Sequence, residues 1–179
     1  MPFLKSRLPV SNAIIPVLAV ISFLVYGWTL VVFLWKIPSW IQFLTFGEIL
    51  VIFAYSMTST LLESLTALGI LLLACLILPK SWMRDVFITR GSIAALFGLG
   101  SIMLYMYRFS VIGYSYFASL VSWSWVALAL TFLAAFSASR LRVIVRAIAW
   151  LSDQLIVFLF LFVPISLISL LVVMYRNLF

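Results

Sequence analysis

Apolar positions along this chain come in long unbroken runs divided by short polar breaks, without the alternation of a strand. Residues 13–35 and 155–175 contain no Asp, Glu, Lys or Arg. Each run is long enough for the ~20 residues that carry a helix across a ~30 Å hydrocarbon layer. A barrel strand would alternate polar and apolar positions over ~10 residues, which neither run does. The pattern predicts an all-α, polytopic integral membrane helix bundle, a single transmembrane domain over residues 1–179. Five transmembrane helices are expected at about 12–35, 46–78, 91–107, 114–136 and 153–175. Lys36 with Pro38 marks the first loop and Pro79 opens the next, whose residues 80–90 are of mixed charge. Pro164 is expected to kink the fifth helix, since it removes one backbone donor and crowds the preceding turn.

Residues 40–78 are apolar for longer than one crossing needs, and two short crossings joined near Thr58 and Thr60 would also fit. The positive-inside rule separates the two readings. With one crossing, Lys5, Arg7, Lys80, Arg84, Arg90, Arg140, Arg142 and Arg146 lie inside, and only Lys36, Arg108 and Arg176 outside. With two crossings the split becomes four inside and seven outside. One crossing is therefore expected, which puts the N-terminus in and the C-terminus out, in the cytoplasmic (plasma) membrane. Trp35 and Trp40 then fall at the outer boundary, with Trp82 and Trp150 at the inner one, as aromatic belts do. Trp123 and Trp125 lie in the middle of helix four and are expected to pack or face lipid. The N-terminus resembles a signal peptide, but its apolar run is too long and no A-x-A site follows, so an uncleaved first helix is expected.

Composition removes the soluble alternative. Apolar residues make up 67% and charged residues 8%, too little polar surface to cover a water-soluble fold. The net charge of +7 sits in separate short loops, without a basic stripe interleaved with aromatics, so nucleic acid is not an expected partner. Cys75 is the only cysteine, which leaves no disulfide or CxxC chemistry within one chain. The sequence has no histidine, which excludes His-based acid–base catalysis, Ser–His triads, haem axial histidines and the commonest zinc sites. The run Gly113-Tyr114-Ser115-Tyr116-Phe117 lacks the second glycine of a nucleophile elbow. Gly98-Leu99-Gly100 lacks the third glycine of a dinucleotide loop, and is expected to allow close helix approach with Ala94 and Ser101. Lys36 with Ser39 is the one outward-facing candidate for a Ser–Lys dyad, with nothing around it to form an oxyanion hole. No cofactor and no metal site are expected.

The informative residues lie in the second helix. At 100° per residue, Glu48, Tyr55, Ser56, Ser59, Glu63 and Thr66 fall within an arc of about 100°. A charged group facing hydrocarbon costs at least ~2.5–3.5 kcal/mol, so this face is expected to turn away from lipid, with Glu63 desolvated among Leu61, Leu62 and Leu65. Two readings stand: a proton, cation or headgroup site near Glu63, or a helix-packing seam with Glu48 at the interface. Ser115, Ser119 and Ser122 on helix four form a small-residue face suited to tight packing. Asp85 and Asp153 are expected to pair locally with Arg84 or Arg146.

Residues 139–150 carry Arg142, Arg146 and Ala149 on one face and Leu141, Ile144, Val145 and Ile148 on the other. A separate interfacial helix is expected there, with Arg140, Arg142 and Arg146 on anionic headgroups. The competing outcome is one unbroken helix into the fifth span, since no proline or glycine intervenes. The leading functional expectation is a non-enzymatic accessory, assembly or anchoring subunit that associates with other membrane protein subunits, or as a homo-oligomer, in the lipid bilayer. A small transporter, channel or lipid-handling protein using Glu63 is the alternative, and an enzyme on lipid-linked substrates comes third.

Overall fold

The computed structural model describes residues 9–84, 86–112 and 116–178. These residues form six helices joined by short turns, without a strand among them. In chain order they are α1 (Ser11–Trp40), α2 (Phe46–Ile77), the short α3 (Lys80–Met83), α4 (Phe87–Ile112), α5 (Tyr116–Ala138) and α6 (Arg142–Leu178). All except α3 are long and apolar enough to cross a membrane. The chain is an integral membrane protein with five candidate spans.

Region 40–78 is one crossing, because α2 runs unbroken for 32 residues. Its hydroxyls do not interrupt it. Thr58 Oγ1 donates to the Ala54 carbonyl at 2.9 Å, Thr60 Oγ1 to that of Ser56 at 2.7 Å and Ser64 Oγ to that of Thr60 at 2.8 Å. Each side chain is thus satisfied within its own helix.

The helices extend past the boundaries that charge and proline suggest. α1 continues through Pro38 to Trp40, because a proline in the last turn forfeits one backbone bond while the Ile41 N–H still reaches the Ile37 carbonyl at 3.0 Å. α4 takes in Arg90 and Arg108, whose long side chains can reach past a helix end toward polar surroundings. Pro164 lies within α6 without ending it.

The expected interfacial helix at 139–150 is not formed. α6 is a single helix of 37 residues through Trp150 and Asp153. At the expected break, Ser152 is fully buried, donates to the Ile148 carbonyl at 2.7 Å and meets Ser92 of α4 at 3.4 Å between hydroxyl oxygens. At 1.5 Å per residue α6 is about 55 Å long, well beyond a ~30 Å hydrocarbon layer.

α1 is the hub, packing against α2, α4 and α6; α2 also packs on α6, and α5 lies against α4. The main core joins Val17, Val20 and Ile21 of α1 to Leu68 and Cys75 of α2, Phe87 and Ala95 of α4 and Leu155 of α6. In lipid, where burial in protein gains little over burial in hydrocarbon, close packing and hydrogen bonds between helices do the holding. Polar contacts of this kind recur between neighbours. Thr60 meets Thr29 at 3.0 Å between α2 and α1, and Tyr26 meets Ser166 at 2.6 Å between α1 and α6. Between α4 and α5, Tyr105 meets Ser119 at 3.4 Å and the Trp123 indole donates to the Ser101 carbonyl at 3.2 Å.

Two expectations about packing are revised. The glycine held closest is Gly91, where an added Cβ would lie 3.2 Å and 3.3 Å from the Val17 methyls; at Gly98 and Gly100 nothing comes within 4 Å. Of the serine face on α5, Ser119 meets α4, Ser122 is exposed, and Ser115 lies outside the described residues, as does Asp85. Trp123 packs between helices, whereas Trp125 is exposed.

Candidate functional site

A lateral cleft of about 780 Å³ has α1 as its floor and α2 and α4 as its walls. From α2 it takes Ser56, Ser59, Glu63 and Thr66; from α1, Trp28, Thr29, Lys36 and Trp40; from α4, Met103 and Met106. Its rim is apolar and exposed, with Leu62, Ile70 and Ile102. A cleft of this kind in a transmembrane bundle opens toward the lipid.

Glu63 lies near the midpoint of α2. Its level in the bundle is set by the Thr60–Thr29 contact one turn away, and Val25 and Leu99, near the middle of α1 and α4, line the same cleft. The carboxylate accepts one hydrogen bond among the described residues, from Ser59 Oγ at 3.1 Å. The side chain is exposed at the cleft, so the described helices do not themselves cover it. The reason is local: α4 stands apart from α2 at this level, which leaves the face between them uncovered.

Lys36 cannot pair with Glu63 from its own position. From the Thr29–Thr60 contact, Lys36 is seven residues along α1 one way and Glu63 three residues along α2 the other, about 15 Å apart along the bundle axis. A lysine stem covers less than half of that. The cleft thus holds one mid-depth carboxylate flanked by hydroxyls, an arrangement able to bind a donor or cation but without a second acid or base beside it. Among the described residues no three His, Cys, Asp or Glu side chains come together.

The polar face read from the sequence divides between two neighbours. Ser56, Ser59, Glu63 and Thr66 line the cleft, although Ser56 and Thr66 donate to their own helix, to the Ile52 and Leu62 carbonyls. Tyr55 turns to α6 and donates to Asn177 Oδ1 at 2.7 Å. Glu48 starts α2: its carboxylate accepts from the Thr45 backbone N–H at 2.7 Å and hydroxyl at 2.8 Å, and its own N–H donates to Thr45 Oγ1 at 3.4 Å. That reciprocal pair is a capping box and explains Glu48 without a ligand. The α1 contributors were legible but missed, since 28, 29, 32, 33, 36 and 40 repeat at helical spacing.

One end of the bundle gathers arginines from the α2–α4 connection, the α5–α6 connection and the first turns of α4 and α6. Arg90 donates to Ser139 Oγ from Nε at 3.1 Å and Nη2 at 3.0 Å, and to the Trp82 carbonyl. Its guanidinium lies 5.3 Å from the Phe136 ring centre, and that of Arg140 lies 4.8 Å from the same ring. Arg140, Arg142 and Arg146 are exposed, so the structure leaves the expected headgroup contacts on the surface of this end. Asp153, also exposed, follows the buried Ser152.

Comparison with known proteins adds no assignment: no protein-family model, characterised protein or solved structure matches the chain.

Proposed function

We propose that this integral membrane protein is a small accessory, assembly or anchoring subunit that works by association, with the cleft between α1, α2 and α4 as its docking face. One observation carries the reading: Glu63 is exposed at mid-height of a spanning helix with a single internal hydrogen bond. Leaving such a group against hydrocarbon is costly, so a protein partner or a water-filled space must cover it. In this reading the N-terminus is cytoplasmic and the membrane is the plasma membrane; the uneven distribution of basic residues supports the sidedness.

The test is a photo-cross-linking amino acid at position 62 or 102 on the cleft rim, with position 160 on the exposed face of α6 as the comparison. In native membranes the rim positions are expected to give a discrete protein adduct that weakens in Glu63→Gln, while position 160 gives lipid adducts. Lipid adducts alone from all three positions would overturn the reading. A second reading, proton or cation passage past Glu63, draws on the hydroxyls of Ser56, Ser59 and Thr66 along the same wall. It predicts Glu63-dependent ion flux into liposomes holding the purified protein alone.

A further inference from the structure

We infer that the occupant of the cleft is a transmembrane helix of a different protein, carrying a lysine or arginine near its midpoint that meets Glu63. The inference rests on reading the cleft as an association surface, and goes further by specifying the chemistry of what docks there.

Shape comes first. Along α2 the cleft runs from Ser56 to Ile70, about 21 Å at 1.5 Å per residue, and along α1 it continues to Lys36 and Trp40. It is thus an elongated groove that follows the helices and is open at its side, the shape in which another helix packs lengthwise. The methionines of the α4 wall, Met103 and Met106, are unbranched and adapt to an incoming surface.

Depth comes second. Glu63 sits at the level of the bundle's middle, so it lies about 15 Å from either surface of a ~30 Å hydrocarbon layer. A phospholipid in its ordinary position presents only acyl chain there and offers no donor to a carboxylate. A helix can present a charged or donor side chain at any depth, and one directed at Glu63 is shielded from lipid on both sides.

Charge comes third, and it excludes a second copy of this chain as the source of a cation. Lys36, Arg90, Arg108, Arg142, Arg146 and Arg176 all fall within four residues of a helix end. Lys5 and Arg7 precede α1, Lys80 and Arg84 lie between α2 and the main body of α4, and Arg140 joins α5 to α6. No spanning helix of this sequence has a basic residue in its central turns. Whether a second copy is parallel or antiparallel, its spanning helices bring hydroxyls but no basic residue to mid-depth, so a cationic complement of Glu63 comes from another chain.

The purified full chain, reconstituted in phosphatidylcholine vesicles, tests this with two designed leucine-rich spanning peptides identical except for lysine or leucine at the midpoint. Energy transfer from labelled protein to labelled peptide reads the affinity. The lysine peptide is expected to bind about tenfold more tightly than the leucine peptide, the order that polar contacts between membrane helices reach. Glu63→Gln should abolish that preference, and Glu48→Gln, at the helix cap, should keep it. Glu63→Lys should transfer the preference to a third peptide with a central glutamate, which separates lost pairing from lost folding. Equal binding of the lysine and leucine peptides to the wild-type chain overturns the inference, and so does Glu63-dependent self-association. In either case a protein adduct at the cleft rim in native membranes would leave the association reading standing, whereas lipid adducts alone would end both.

Discussion

Tyr26 offers the most direct test of how this bundle is held together. It is 1% exposed, its ring stacks on Phe162 with centres 4.5 Å apart and planes 4° from parallel, and its hydroxyl shares a 2.6 Å hydrogen bond with Ser166. Two substitutions divide these contributions. Tyr26→Phe removes the hydroxyl and keeps the ring. Ser166 can then donate to the carbonyl four residues earlier, as Ser64 and Ser152 do in their own helices, so little is left unpaired. The cost should be about 0.6 kcal/mol and not above about 1.7 kcal/mol, the range for such bonds in a membrane. Tyr26→Ala removes the ring between α1 and α6 and leaves a cavity against Phe162 and Met57. Aromatic-to-alanine changes in water-soluble cores cost about 3–5 kcal/mol, part of which is transfer from water. In lipid that part is reduced, so about 2–3 kcal/mol is expected, from lost dispersion contacts. Denaturant titration in mixed micelles, followed by circular dichroism and tryptophan fluorescence, gives both values. If Tyr26→Phe costs as much as Tyr26→Ala, the hydrogen bond and not the packing holds α1 to α6, and the reasoning fails.

Other consequences are as concrete. Gly91→Ala would put its methyl 3.2 Å and 3.3 Å from the Val17 methyls; about 1–2 kcal/mol of destabilisation is expected, recovered in part by Val17→Ala in a double-mutant cycle. If Arg140, Arg142 and Arg146 contact anionic headgroups, replacing all three with Gln should weaken phosphatidylglycerol retention in native mass spectrometry, by about 1 kcal/mol for each arginine near the surface; unchanged retention would remove the headgroup role. For orientation, single cysteines at the exposed positions 43 and 143 in a Cys75→Ser background should label differently. Position 43 should react in intact cells and position 143 only after permeabilisation, and the opposite pattern would invert the topology.

The number of spanning helices was legible because it depends on bulk apolarity, and the α2 ambiguity yielded to charge counting. Helix ends were less legible, for a reason common to Arg90, Arg108, Lys36 and Pro38. In the sequence a charged residue reads as the end of a helix, but a long side chain can leave its backbone helical and carry only its head toward polar surroundings. Arg90 does this visibly, with its guanidinium on Ser139 and the Trp82 carbonyl. The same effect removed the separate helix at 139–150. Amphipathic spacing is equally compatible with a helix lying on the membrane and with the projecting first turns of a longer one. The unbroken helix brings Ser152 against Ser92, a long-range contact that spacing does not report.

The polar face of α2 divides between neighbours for a related reason, and the division sharpens the interpretation of Glu63. Periodicity places Glu48, Tyr55, Ser56, Ser59, Glu63 and Thr66 within one arc, but an arc of about 100° is wide enough to face two neighbours. Glu48 is accounted for by Thr45 at the cap and Tyr55 by Asn177 on α6. Ser56 and Thr66 are accounted for by their own backbone. Once these are set aside, Glu63 remains with Ser59 as its sole partner among the described residues. A residue retained for helix packing would be expected between α2 and the helices it touches, as Thr60 and Ser64 are. Glu63 instead faces the interval between α2 and α4, where none of the described helices lies. An exposed mid-membrane carboxylate needs cover that the described helices do not give, and the proposed associative function is one that would supply it.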